Sequence, residues 1–93
     1  GEVESAVLEH PDVEQVGVIG VPDATRGEII KAVVQPVASV NGDNVLREEI
    51  RDTVRENLVQ YEYPREIEFL ETLPTTTTGK IRRKELRERE RDR

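Results

Sequence analysis

The sequence predicts a small α+β domain in the order α-β-β-α-β-α: a mostly antiparallel three-stranded sheet covered by helices. Three observations carry that reading. Branched apolar residues dominate or alternate over 13–21, 28–37 and 66–70, which is strand patterning. Apolar residues recur at three- and four-residue intervals over 3–8 and 45–58, which is the patterning of helices with one buried face. Turn-forming residues fall between these stretches, notably Pro22 to Gly27 and Asn41-Gly42. Ninety-three residues support one core and leave no room for a second, so 1–93 reads as one domain.

Each element has a local reason. Val3, Val7 and Leu8, with Ala6 beside them, share a helical face, and the glutamates near the start suit a helix N-terminus. Pro11 disfavours a helical His10 and ends that element. Val13–Val21 and Glu28–Val37 are strands joined by a short connection, so they should pair antiparallel. Asp43 or Asn44 caps a helix running to about Val59, with Val45, Leu46, Ile50, Val54 and Leu58 on its buried face. Tyr61 to Arg65 leads irregularly into a third strand, Glu66–Leu70, where Ile67 and Phe69 alternate with carboxylates. A charged helix from about Arg83 to Arg91 ends the pattern.

Composition narrows the function classes. Charged residues make up 37% and apolar residues 34%, with one Phe, two Tyr and no Trp, so the core is lean. The absence of cysteine rules out a disulfide framework or thiolate metal site, and a single histidine cannot build a His-based zinc site. No apolar run approaches a membrane span and no signal peptide is visible, so the expected location is the cytoplasm. The net charge of −6 is unevenly placed. Residues 80–93 carry eight basic and four acidic side chains, leaving six basic and sixteen acidic on residues 1–79. A basic tail on an acidic body suits a polyphosphate ligand better than nucleic acid, and the tail lacks interleaved aromatics. His10-Pro11-Asp12 also marks J-domain co-chaperones, but that fold is all helical and the β-rich run that follows contradicts it.

The stretch Leu73-Pro74-Thr75-Thr76-Thr77-Thr78-Gly79-Lys80-Ile81-Arg82-Arg83-Lys84 is the most informative. Four hydroxyl residues run into a glycine suited to a tight bend, and Lys80 follows at once. Ile81 and Leu86 are placed to pin the chain back to the core. A phosphate-binding P-loop needs Gly-x4-Gly-Lys followed by Ser or Thr; here Pro74 or Thr75 replaces the first glycine and Ile81 the hydroxyl. That pattern fails. On the residues alone, Lys80 reads as a solvated lysine after a turn.

The same stretch resembles the closing motif of the AMP-forming acyl-CoA synthetases, the adenylate-forming ligases: Leu-Pro-Lys/Arg-Thr-x-Ser/Thr-Gly-Lys-Ile/Val-x-Arg-x-x-Leu-Arg. The resemblance continues through Gly1–Val13, Val16–Asp23 and Arg26–Val34. Tyr61-Glu62-Tyr63-Pro64-Arg65 and the residues up to Pro74 look most like the medium-chain branch. It covers essentially the whole chain and implies the C-terminal lid domain of such a ligase, without the large N-terminal domain or the hinge. A departure is Thr75, where the family usually carries Lys or Arg.

The resemblance implies chemistry. The family uses ATP, CoA and Mg2+, and its lysine matching Lys80 bridges the substrate carboxylate and the ATP α-phosphate during adenylation. It points to Arg26, Arg55, Tyr63, Pro64 and Arg65 for CoA, with guanidinium groups on phosphates and a tyrosine ring flanking the adenine. Without the resemblance, Arg55 reads as a solvated helix arginine and Tyr63 as a core aromatic. The implied partners are the chain's own N-terminal adenylation domain, a carboxylic acid, ATP and CoA, with no nucleic acid and no membrane span. The fragment alone is expected to be inactive and to hold no metal or cofactor. The alternative is a stand-alone anion- or nucleotide-binding α+β module without catalysis; a start at Gly1 rather than methionine weighs against it.

Overall fold

The computed structural model describes residues 2–57 and 64–92; Leu58, Val59, Tyr61 and Tyr63 lie outside the described residues. The element order is α1 (Glu2–Leu8), β1 (Val13–Asp23), β2 (Gly27–Pro36), α2 (Asn44–Asn57), β3 (Glu66–Phe69) and α3 (Arg83–Arg91). The α+β class and the α-β-β-α-β-α order are therefore present as the sequence implies.

β2 is central. It pairs antiparallel with β1, from Val16↔Val34 to Asp23↔Gly27. It pairs parallel with β3, from Lys31↔Glu66 to Val34↔Phe69, so the sheet is mixed: mostly antiparallel, with a short parallel pairing at one side. The reason is connectivity. A tight turn joins β1 to β2, whereas α2 lies between β2 and β3 and carries the chain back to the end from which β2 started.

The sheet is covered on both faces. Val16 of β1, Ala32 and Val34 of β2 and Ile67 of β3 form one core with Val3, Ala6 and Val7 of α1 and Leu46, Ile50 and Val54 of α2. The opposite parity, Ile19, Val21, Ile29 and Val33, packs against Leu73 and Leu86, with Leu70 and Ile81 alongside. This explains the continuous buried run Lys31–Val34 in a strand with neighbours on all sides. A register shift between Val13 and Gln15 turns Val13 to the same core as Val16.

Two helical positions depart from the expected faces. Val45 is 66% exposed, because Leu46, Ile50 and Val54 at four-residue spacing already fill the buried stripe of α2. Leu8 is 49% exposed, since Val3, Ala6 and Val7 fill the corresponding stripe of the two-turn α1. Asp43 is the cap of α2: its Oδ1 accepts the Leu46 N–H at 2.9 Å.

α3 is held on its face of the sheet by charge as well as by Leu86. Lys31, 3% exposed, points from β2 toward α3. Its Nζ donates to Glu90 at 2.8 Å and pairs with Glu68 at 2.9 Å. Arg89 holds the same Glu68 carboxylate through Nη1 at 3.0 Å and Nη2 at 2.6 Å. Arg89's fork, assisted by Lys31, overcomes burial and lowers the Glu68 pKa to about 2.

Candidate active-site lysine loop and the basic end of the sheet

The Lys80 loop is a tight hairpin. Thr75 and Ile81 form an antiparallel bridge, the Thr76 N–H donates to the Lys80 carbonyl at 2.8 Å, and the Gly79 N–H donates to the Thr76 carbonyl at 2.9 Å. Gly79 has φ +86°, so the loop is a β-turn followed by a left-handed residue, the conformation that favours glycine. The threonines organise the tip locally: Thr76 Oγ1 accepts the Lys80 N–H at 3.2 Å and lies 3.0 Å from Thr78 Oγ1. Below the tip the Arg82 N–H donates to the Pro74 carbonyl at 2.9 Å.

The backbone around Lys80 is therefore fixed while its side chain stays exposed. Among the described residues no hydrogen bond or ion pair engages the ammonium group. Lys80 borders an open groove of about 490 Å³, shared with Glu14 and Gln15 of β1, Leu8 of α1 and Arg83. The loop docks on β1 at Gly17, where an added Cβ would stand 2.7 Å from Leu86 Cδ1 and 2.8 Å from Ile81 Cγ2. A residue without a side chain lets both apolar anchors reach the strand.

The other candidates gather elsewhere. Arg26 sits in the exposed β1–β2 turn, where Asp23 Oδ2 accepts the Thr25 N–H at 3.2 Å and the Arg26 N–H at 2.9 Å. Arg55 lies near the C-terminal end of α2, 3.2 Å from Asp52. Arg65 immediately precedes β3, and its N–H donates to the Ile30 carbonyl at 2.9 Å. All three lie toward the end of the sheet where β2 and β3 start, with Arg26 before Gly27 at the hairpin tip and Arg65 beside Ile30, three residues further along β2. Pro64 is fully buried and anchors this corner, and Tyr63 lies outside the described residues.

Among the described residues, the group of histidine and acids close enough to share an ion is His10, Asp12 and Glu49. The hydrogen bonding there is against a metal. His10 Nδ1 accepts the Asp12 N–H at 3.0 Å, so Nε2 carries the proton and donates to Glu49 Oε1 at 2.9 Å. Neither ring nitrogen has a lone pair to offer. No helix among the described residues is long and apolar enough to cross a membrane.

Comparison with known proteins gives the family. Residues 2–80 match the family model described as AMP-binding enzyme C-terminal domain. The chain belongs to that family. It is 44% identical over 91 residues to the rat acyl-coenzyme A synthetase ACSM3, mitochondrial, covering 96% of this chain and 16% of the relative. It is 48% identical over 89 residues to 4-hydroxybutyrate–CoA ligase 1 of Metallosphaera sedula, again covering 96% of this chain and 16% of that protein. The structure superposes on the Brucella canis acyl-CoA synthetase with a TM-score of 0.90 and 44% identity, over 98% of this chain and 17% of the other. The chain thus spans about a sixth of the length of the relatives it matches.

Within this AMP-binding C-terminal domain, some residues near the candidate sites escaped the sequence reading. Arg47 and Arg51 line an open depression of about 510 Å³ with Arg65. Arg51 Nη2 donates to the Arg65 carbonyl at 3.1 Å; Arg47 Nε donates to the Ile67 carbonyl at 3.1 Å and its guanidinium lies 5.2 Å from the Phe69 ring centre. Both arginines tie α2 to β3. The remaining surprise is a salt bridge between Glu4 and Arg83, 79 residues apart, beside the lysine loop. A single sequence carries no signal for side-chain pairing at that separation.

Proposed function

We propose that this domain is the lid of an ATP-dependent, AMP-forming acyl-CoA synthetase, partnered by a larger N-terminal adenylation domain of the same enzyme. The observation that carries the reading is Lys80: an ammonium group with no partner among the described residues, on a backbone fixed by the Thr76 and Gly79 hydrogen bonds. Adenylation brings a carboxylate against the α-phosphate of ATP, one anion toward another. Lys80 sits between them as a point charge; a carboxylate oxygen bonds to the α-phosphorus and the bond to pyrophosphate breaks. The lid also excludes water, which would otherwise hydrolyse the acyl-adenylate. In the second half-reaction the thiol sulfur of CoA attacks the acyl carbonyl and AMP leaves.

The CoA assignment uses the other end of the sheet. Arg26, Arg55 and Arg65 meet the phosphates of CoA, Tyr63 flanks its adenine, and Pro64 acts from within the core by fixing the backbone of that run. Mg2+ belongs to the proposed whole enzyme; the His10–Asp12–Glu49 group, with both ring nitrogens engaged, does not fit it. The substrate class is a carboxylic acid, with the medium-chain branch favoured by the similarity to the rat synthetase. The proposed compartment is the cytoplasm, where ATP and CoA are both at hand. Since that relative is named mitochondrial, cell fractionation is the test of location.

The decisive experiment changes Lys80 to alanine in a full-length enzyme carrying this domain and assays the half-reactions separately. Pyrophosphate release from ATP and carboxylate should fall by about 10²–10³-fold, the usual effect of removing one transition-state charge contact. Thioester formation from supplied acyl-adenylate should persist within about twofold. Equal retention of both reactions would refute the assignment.

A further inference from the structure

Lys80 is mounted on a loop whose tip residues, Thr75 to Lys80, are all exposed. Its aim therefore depends on how the stem is tied to the body. Ile81 and Leu86 supply an apolar tie to β1 at Gly17, but apolar contacts tolerate sliding. A directional tie sits three residues after the lysine. The Arg83 guanidinium grips the Glu4 carboxylate with Nε on Oε2 at 2.8 Å and Nη2 on Oε1, a fork that fixes both groups' planes. Glu4 Oε2 also accepts the Val18 N–H of the edge strand β1 at 2.8 Å. One carboxylate thus joins α1, β1 and the stem of the lysine loop.

The surroundings suit a permanent clamp. The Glu4 side chain is 13% exposed and Arg83 42% exposed, so the acid is partly buried beneath a base that faces solvent. Burial opposes ionisation of Glu4, but the Arg83 and Val18 hydrogen bonds outweigh it and hold its pKa below the usual carboxylate range. The same contact raises the Arg83 pKa further.

We infer that Glu4 and Arg83 are positioning residues for adenylation, clamping the Lys80 loop to α1 and β1 so that the ammonium group arrives at one fixed place. The inference rests on the adenylation role proposed for Lys80. A lysine on an unclamped stem keeps its charge but loses its aim, and a displacement near 1 Å is enough to cost about 10²-fold in rate.

The test uses the full-length enzyme and the variants Glu4→Gln, Arg83→Lys and Glu4→Gln/Arg83→Lys, with Lys80→Ala run in parallel. Glu4→Gln keeps an oxygen for the Val18 N–H but removes the charge. Arg83→Lys keeps the charge on a well-exposed side chain, where folding is unaffected, but removes the fork. Each single variant should lower kcat for pyrophosphate release by about 10- to 100-fold, with KM for ATP within about twofold and thioester formation from acyl-adenylate within about twofold. The double variant should be no worse than the weaker single, the mark of two groups acting as one. The inference is overturned if Arg83→Lys keeps its adenylation rate, if both half-reactions fall together, or if the two losses multiply. If Lys80→Ala abolishes adenylation while the clamp variants do not, only the clamp is wrong. If Lys80→Ala leaves adenylation intact, the catalytic role on which the clamp depends is wrong.

Discussion

Glu68 offers a quantitative check on how α3 is held. Its carboxylate receives both Arg89 nitrogens, at 3.0 and 2.6 Å, and stands 2.9 Å from the buried Lys31 ammonium. Its folded pKa is about 2 against an ordinary value of 4.5. Converted directly, that depression corresponds to about 3 kcal/mol. Glu68 is 21% and Arg89 38% exposed, so solvent screening reduces the expected contribution to about 2 kcal/mol. The sign follows from the depressed value: the stabilisation is complete above the unfolded pKa and disappears as pH falls through 4.5 toward 2. Glu68→Gln keeps the shape and removes the charge. Urea unfolding of the 93-residue chain, followed by far-UV circular dichroism, should show the variant about 2 kcal/mol less stable at pH 7. The gap should shrink to less than half by about pH 3, because glutamine does not titrate and the wild-type carboxylate does. A gap that stays constant between pH 7 and 3, or one below about 0.5 kcal/mol at pH 7, would refute the ion network as the anchor of α3.

Three further outcomes probe the core and the two sites. Ile50→Ala empties a fully buried position between α2 and the sheet and should cost about 3–4 kcal/mol, read as a fall in thermal midpoint of roughly 15 °C or more. Gly79→Ala forces a side chain into φ +86° although space is open around it, so about 1–2 kcal/mol of local strain should lower adenylation while thioester formation survives. Arg26→Ala should raise KM for CoA by about 10-fold or more and leave pyrophosphate release unchanged, as steady-state kinetics with varied CoA will show.

The sequence carried most of the fold because its elements are locally consistent. Leu46, Ile50 and Val54 recur at helical spacing, and Asp43 supplies its own cap. The sheet's mixed pairing was less visible. Periodicity reports that Ile67 and Phe69 face one way but says nothing about the direction in which β3 meets β2; the crossover through α2 decides that. Val45 reads as buried because an apolar residue beside Leu46 looks equivalent in a pattern, while packing has room for one stripe. The candidate site was legible for a different reason. The bend at Gly79 follows from short-range chemistry, and the Lys80 assignment came from motif resemblance, which is also local. Glu4–Arg83 and the contacts of Lys31 with Glu68 and Glu90 join residues 37 to 79 positions apart, and such pairings exist only once the chain has folded.

The sheet itself bears on the proposed two-step reaction. Lys80 borders Glu14 and Gln15 at the start of β1, whereas Arg26 follows the end of the same strand. The strand between them covers about 25 Å at the usual rise per residue. It is hydrogen-bonded to β2 throughout this stretch and packed on both faces, so the two ends cannot approach each other by bending. A single reaction centre can therefore face the lysine end or the arginine end of this domain, not both. Moving from adenylation to thioester formation then requires rotating the domain as a rigid body, with the change of backbone angle lying outside the sheet. A crosslink holding the lysine end against the adenylation domain should block CoA consumption while leaving one round of acyl-adenylate formation intact. Thioester formation surviving in the crosslinked enzyme would show that both ends serve one orientation, and the separation along β1 would then have no catalytic meaning.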